Sequence, residues 1–429
     1  MMRKSLRIKK RSERIAEKRF EKLKNSQADY SYDNIFTLNH FVIAFFKCLK
    51  GVLWKASVQN YLINCVTKLF SDYLSIKNRK LPKPVSDKEI IIRERGKPRK
   101  ITPIHIKDRV IQKVLCDFGL VPILSKVLIY DNGASLEDKG VRFSRNRMLH
   151  HIKNAIKKYG TTFYILSFDF KDFFNSIPHK TCQKVLERYI YDKDVINITM
   201  EIIKSPYKIK IMKIKDKSER EEQLQKLERN ELRGICLGSQ VSQIIALVIA
   251  NDIDHYIKDI CKFDFYERYM DDGIVLARTK EELRVLFENL KARTDKLGLN
   301  FNIAKTHIIK SSKGFTFLKV TYFVTETGKI VRKLNRKGIV RQRRKLKKFK
   351  CKLKEKCMTL ENVYDSAQSW FEHAQIADSY ITQKEMTKLY NILYDGYKIT
   401  KKWKHLQGGK NVKKIQVNKL RKYRWNCVC

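Results

Sequence analysis

None of the ten cysteines falls in a Cys-x-x-Cys pair, which removes both the zinc-knuckle and the disulfide-framework readings. They read as small core residues, with Cys427 and Cys429 kept as a minor alternative for metal binding or oxidation. A long apolar run is missing too. The longest, residues 241–250, is interrupted by Ser242 and Gln243 and falls well short of the roughly 20 residues that cross a bilayer. Arg3, Lys4, Arg7, Lys9, Lys10 and Arg11 have no apolar stretch behind them, and Glu13, Glu17 and Glu21 argue against a transit peptide. A cytoplasmic protein with no membrane partner is expected. There is no internal repeat and no clustering of His with Cys. Acidic residues are in short supply, 45 against 92 Lys and Arg, for a formal net charge of +47.

That charge exceeds what solubility requires and makes a polyanion the expected partner. Repeated phosphate contacts release condensed counterions, which favours nucleic acid over a membrane surface or a small acidic metabolite. With 429 residues and 43% hydrophobic content, the chain can bury a large core and divide into two or three domains.

Residues 1–25 read as a charged helix or a basic arm, and residues 35–80 as two helices broken near Gly51. EIIIRERGKPRKITPIHI, after LPKPV, predicts a basic β-hairpin around a Gly-Lys-Pro turn, followed by a helix over about 107–124. YILSFDF at 164–170 reads as a buried strand, and 214–233 as a charged helical insertion. Strand signals return at 263–277, a helix at 280–297 and short strands at 314–332. Residues 332–356 are almost continuously basic, and one face there is expected to track a duplex backbone. The last residues interleave Trp403, Tyr423 and Trp425 with basic side chains, which suits single-stranded RNA or a helix that docks back.

The sharpest local feature is RYMDDGIVLA, in which Asp271, Asp272 and Gly273 sit between apolar strand segments. An Asp-Asp-Gly hairpin turn alone would explain it. Upstream, however, Asp169 ends another apolar strand, where an unpaired carboxylate is costly. Three carboxylates on adjacent strand ends suit nucleotidyl transfer by two divalent ions about 3.5–4 Å apart. Mg²⁺ is the expected ion, with Mn²⁺ as an alternative, because hard cations take oxygen ligands and need no His or Cys.

Taken in order, the motifs resemble those of a reverse transcriptase over roughly residues 85–390. GKPRKI (96–101) with DRVIQ (108–112) is similar to the fingers motifs, SFDFKDFFNSIPH (167–179) to motif A, and RGICLGSQVSQIIALVIANDIDH (233–255) to motif B. RYMDDG (268–273) is similar to motif C, LGLNFNIAKT (297–306) to motif D and GFTFL (314–318) to the primer grip. Six motifs in the right order are specific where one would be weak.

The resemblance implies an α/β right-hand polymerase with a helical N-terminal extension. It implies Asp169 and Asp271 as metal ligands, Asp272 as a further ligand or close support, and Lys305 as a cation beside the pyrophosphate leaving group. Phe174 matches the aromatic gate that excludes a ribose 2′-hydroxyl, with core packing as the alternative. Arg99 and Lys100, with Arg93 in reserve, are candidates for holding the triphosphate. Arg109 is assigned to template backbone or to a structural carboxylate. Motif B departs from the Gln-Gly and Ser-Pro pattern, carrying Leu237-Gly238 and Ser242-Gln243 instead. LGxxxSQ resembles diversity-generating retroelement enzymes and antiphage defence-associated lineages. Leu237 removes an amide near the nascent base pair, which implies unusual fidelity, while Gly238 still admits close backbone approach.

The expected domains are a basic arm and helical extension (1–84), fingers and palm (85–325), a helical thumb (326–395) and a basic aromatic tail (396–429). The expected activity is RNA-directed DNA synthesis from dNTPs on a structured non-coding RNA, passing through an RNA/DNA duplex, in antiphage defence. A retroelement enzyme with an accessory protein, and an RNA-binding scaffold that does not polymerise, are the alternatives. An accessory protein or a homo-oligomer remains open as a further partner. The elements above leave no room for an RNase H or integrase domain.

Overall fold

The computed structural model describes residues 28–83, 90–94 and 97–394, and the side chains of 94, 97, 99 and 100 lie outside the described set. The arm at 1–25 and the tail at 396–429, with Trp403, Tyr423, Trp425, Cys427 and Cys429, also lie outside it. The chain divides into two compact units, residues 1–318 with 322–330, and residues 319–321 with 331–429.

In the first unit, α1 (Leu38–Leu49), α2 (Ala56–Leu62) and α3 (Cys65–Lys77) form the extension. The break near Gly51 is present, with φ 76 there. A second break divides what the periodicity reads as one helix, because Ile63 turns extended at the end of α2 and Asn64 takes the left-handed region at φ 61 before α3. Strands β1 (Ile90–Glu94) and β2 (Lys97–Ile101) pair antiparallel as the expected hairpin, and α4 (Ile106–Leu115) follows.

A four-stranded sheet orders as β4-β5-β3-β6, from β3 (Tyr164–Asp169), β4 (Tyr266–Tyr269), β5 (Asp272–Ala277) and β6 (His307–Lys310). All three pairings are antiparallel, so the C-terminal end of β3 meets the N-terminal end of β5. Helix α5 (Val141–Tyr159) packs on β4 and β5, while the later helix Lys280–Leu297 packs on β3, β5 and β6. Between these lie α6 (His179–Tyr189), α7 (Lys193–Met212), α8 (Lys217–Glu228), α9 (Gln240–Ile249) and α10 (Asn251–His255), and Lys280–Leu297 is α11. Almost every residue of α9 is buried, which is why its second half, Ile244–Ile249, is apolar all round. Among the described residues no helix is long and apolar enough to cross a membrane.

Strands β7 (Phe315–Phe317), β8 (Val320–Val324) and β9 (Ile330–Leu334) form a small sheet in that order. The second unit carries α12 (Arg336–Lys354), α13 (Leu360–Ala374) and α14 (Tyr380–Leu393) around Leu346, Val363, Phe371, Met386 and Tyr390. Helix α12 buries Gln342 and Leu346 and exposes Arg341, Arg344, Lys345, Lys347 and Lys348, the pattern of a helix with one face in a core and the other in water.

Candidate active site

Asp169 stands opposite Asp272 across the β3–β5 pair, and Phe168 opposite Gly273. A Cβ on Gly273 would lie 2.1 Å from the Phe168 ring, so the glycine lets the two strands close over that aromatic. The β4–β5 hairpin turns through Met270 and Asp271 alone, between the paired Tyr269 and Asp272. Met270 holds φ 54, a left-handed conformation that an L residue keeps only when its surroundings impose it. The turn and the register together bring ligand oxygens of Asp169, Asp271 and Asp272 within 4.8 Å of one another.

The segment before β6 closes the cluster from the other side. The Asn302 N–H donates to the Asp169 carbonyl at 2.7 Å, and the Lys171 N–H to the Asn300 carbonyl at 2.8 Å. Lys305 Nζ donates to Asp169 Oδ2 at 2.5 Å, and Asn302 Nδ2 donates to the same oxygen at 3.3 Å. Asn302 escapes sequence reading because its role depends on a strand pairing more than a hundred residues away.

Burial first, then the charges of Asp271 and Asp169, push Asp272 from an ordinary 3.8 to about 7. Burial acts to lower Lys305, but the hydrogen bond and charge of Asp169, together with the charges of Asp271 and Asp272, outweigh it and hold the group above the ordinary lysine range. Three hard oxygen donors with surplus negative charge fit a divalent cation.

The Asp272 shift has a consequence for stability. A carboxyl with a folded-state pKa above its unfolded value contributes stability that is complete below about pH 4 and is lost as pH rises through about 7. Asp272→Asn removes this loss, so in EDTA the variant is expected to melt above wild type at pH 8, by about 1–2 °C per kcal/mol relieved for a chain of this length. The gap should shrink at pH 5, and thermal melts at the two pH values check it. A gap independent of pH would remove this account of Asp272.

The other predicted residues lie on separate elements of the same unit. Phe174 is half-buried, edge-on to Phe173 at 5.7 Å between centroids, and its carbonyl accepts from the Ile235 N–H at 2.8 Å. Leu237 is half-buried, and Gly238 is exposed at φ 107, a backbone conformation that favours glycine. Ser239 caps α9 by accepting from the Ser242 N–H at 3.3 Å, and its hydroxyl donates to Gln112 Oε1 at 2.9 Å, tying the Leu-Gly loop to α4. In β2, Arg99 pairs in register with Ile92 and Lys100 with Ile91, and their side chains lie outside the described set. Arg93 is exposed on β1.

A second cluster, Asp131, His151 and Glu267 of β4, is fully buried. Asp131 is already paired with Lys258 Nζ at 2.6 Å and with Arg147, so an added divalent ion would meet two cations. Burial, with the charge of Asp131 adding to it, pushes Glu267 to about 9 and keeps it a neutral acid at pH 7.

The family described as reverse transcriptase (RNA-dependent DNA polymerase) matches residues 81–322, more than half of the chain. No curated protein matches. Among solved structures, apo telomerase from Candida tropicalis, truncated from its C-terminal domain, is similar at 15% identity over 63% of this chain and 60% of that one, with a TM-score of 0.40. Telomerase from Candida albicans in complex with a TWJ fragment of telomeric RNA is similar at 13% identity over 72% of this chain and 55% of that one, with a TM-score of 0.40. The chain thus spans about 60% of the length of the telomerase chains that it matches.

Proposed function

The chain belongs to the reverse transcriptase (RNA-dependent DNA polymerase) family, and from that premise we propose that it extends a 3′-hydroxyl with deoxynucleotides on an RNA template. The observation that carries this reading is the convergence of Asp169, Asp271 and Asp272 at the ends of paired strands, within 4.8 Å. Mg²⁺ is the proposed ion, with Mn²⁺ as an alternative, and two such ions would make the attacking hydroxyl more acidic and neutralise the triphosphate and leaving group. Lys305, already at the carboxylates, is placed to offset charge developing on the departing pyrophosphate. Arg99 and Lys100 are assigned to the incoming triphosphate, and Leu237 and Gly238 to the side of the forming base pair. The fingers and palm are assigned to residues 85–325 and the thumb to 326–395, where the exposed cations of α12 would follow a duplex backbone.

The template is proposed to be a structured non-coding RNA and the setting cytoplasmic antiphage defence, a role supported by the LGxxxSQ form of residues 237–243. The test is to supply purified protein with a primed RNA, Mg²⁺ and dNTPs, and to sequence both the product and the nucleic acid that copurifies. DNA complementary to one recurrent RNA is the expected result, and the absence of DNA synthesis would overturn the reading.

Phe174 gives a sharper check on the sugar. If its ring blocks a 2′-hydroxyl, Phe174→Ala should raise ribonucleotide use relative to deoxynucleotide use by about tenfold or more, the scale on which a pocket discriminates small groups. Competition between rNTPs and dNTPs on one primed template measures this. Unchanged discrimination in an active variant would assign the ring to packing against Phe173.

A further inference from the structure

Arg268 is fully buried, and its guanidinium is committed to oxygens in several directions. Nε and Nη2 donate to the two Asp254 oxygens at 2.7 and 2.6 Å. Nη2 also donates to the Leu247 carbonyl, and Nη1 to the Met270 carbonyl, each at 2.9 Å. Asp254 accepts in addition from the Tyr266 hydroxyl at 2.7 Å. The main chain of Arg268 is held as firmly, its N–H donating to the Asp131 carbonyl at 3.0 Å and its carbonyl accepting from the Gly133 N–H at 3.1 Å.

These bonds join two places. Leu247 and Asp254 belong to α9 and α10, behind the Leu-Gly loop, whereas Met270 is the left-handed residue of the turn that presents Asp271. A forked guanidinium can satisfy a carboxylate bidentately and still reach two carbonyls; an ammonium can pair with Asp254 but lacks that fork.

We propose that Arg268, anchored by Asp254, is the positioning residue of the carboxylate hairpin, holding the Met270 carbonyl so that the strained turn delivers Asp271 to Asp169 and Asp272. The proposal rests on the polymerase reading only for its catalytic consequence, because the ion site it organises can be measured without any substrate. Holding the turn is distinct from stabilising the fold, since loss of the Met270 bond alone would misplace a ligand and leave the α9–α10 anchor paired.

The test is Arg268→Lys, with Mn²⁺ as the probe and free Mn²⁺ counted by electron paramagnetic resonance on metal-free protein. Mn²⁺ affinity should fall about 10- to 100-fold, the scale seen when a group that orients metal ligands is removed. Primer–template affinity should stay unchanged, and primer extension should recover in part as Mg²⁺ is raised. Asp271→Asn with Asp272→Asn identifies the bound ions by abolishing that binding. Glycine holds a positive φ unaided, so Met270→Gly in the Arg268→Lys background should restore part of the lost affinity. A folded Arg268→Lys protein with wild-type Mn²⁺ affinity overturns the proposal. If that variant does not fold, Asp254→Asn, which keeps an acceptor oxygen but loses the charge, is read in the same way. A chain that makes no DNA yet shows the Mn²⁺ shift would fail the polymerase reading alone, and a working polymerase without the shift would fail this proposal alone.

Discussion

Replacing Asp271 and Asp272 together with Ala is expected to lower dNTP incorporation by on the order of 10³-fold or more, since the ions proposed to bind there would supply several kcal/mol of transition-state charge stabilisation. RNA binding should stay within about twofold, because affinity set by phosphate contacts depends on cations spread over the surface. Primer extension on a fixed RNA and filter binding across a salt series measure the two effects. The salt slope should be unchanged, since no phosphate-binding cation is removed. Undiminished incorporation by the double variant would end the polymerase assignment.

The second large effect is expected at Gly273. An added methyl would lie 2.1, 2.4 and 2.7 Å from three carbons of the Phe168 ring, so either the ring must swing or the strands bearing Asp169 and Asp272 must part. Overpacking of this kind costs about 1–3 kcal/mol, and here it falls on the pair beside Asp169 and Asp272. Gly273→Ala should therefore lose both stability and most activity, by about 10²-fold given how steeply rate depends on sub-ångström placement. Phe168→Leu in the same chain should return part of each. A double-mutant cycle on melting temperature and initial rate detects the coupling, and strictly additive effects would show that ring and glycine do not meet.

Much of this centre was legible before any coordinates. Asp169 at an apolar strand end and the Asp-Asp-Gly turn between strands are local patterns, and a strand's period of two with a short turn constrains where its terminal residues lie. The helix at 280–297 was legible as well, and in the structure a capping box of Thr279 and Glu282 opens it and Gly298 closes it. The left-handed break at Asn64 was not, because Asn tolerates that region without requiring it. Nor could sequence place Lys305 on Asp169, or Arg268 between Asp254 and Met270. An isolated Arg or Lys in so basic a chain carries no signal of its partner, and these partners are chosen by tertiary pairing.

The strand order β4-β5-β3-β6 also has a temporal consequence. β3 is central, yet both neighbours lie far downstream, β5 beginning at Asp272 and β6 at His307. At roughly 5–20 residues per second, a ribosome needs on the order of ten seconds after Asp169 before either can pair with it. During that interval Ile165, Leu166 and Phe168 belong to a strand with two open edges, the kind of segment that invites intermolecular pairing. The carboxylate cluster therefore forms only once β5 has emerged, and a chain stopped short of residue 271 has only Asp169 of the three.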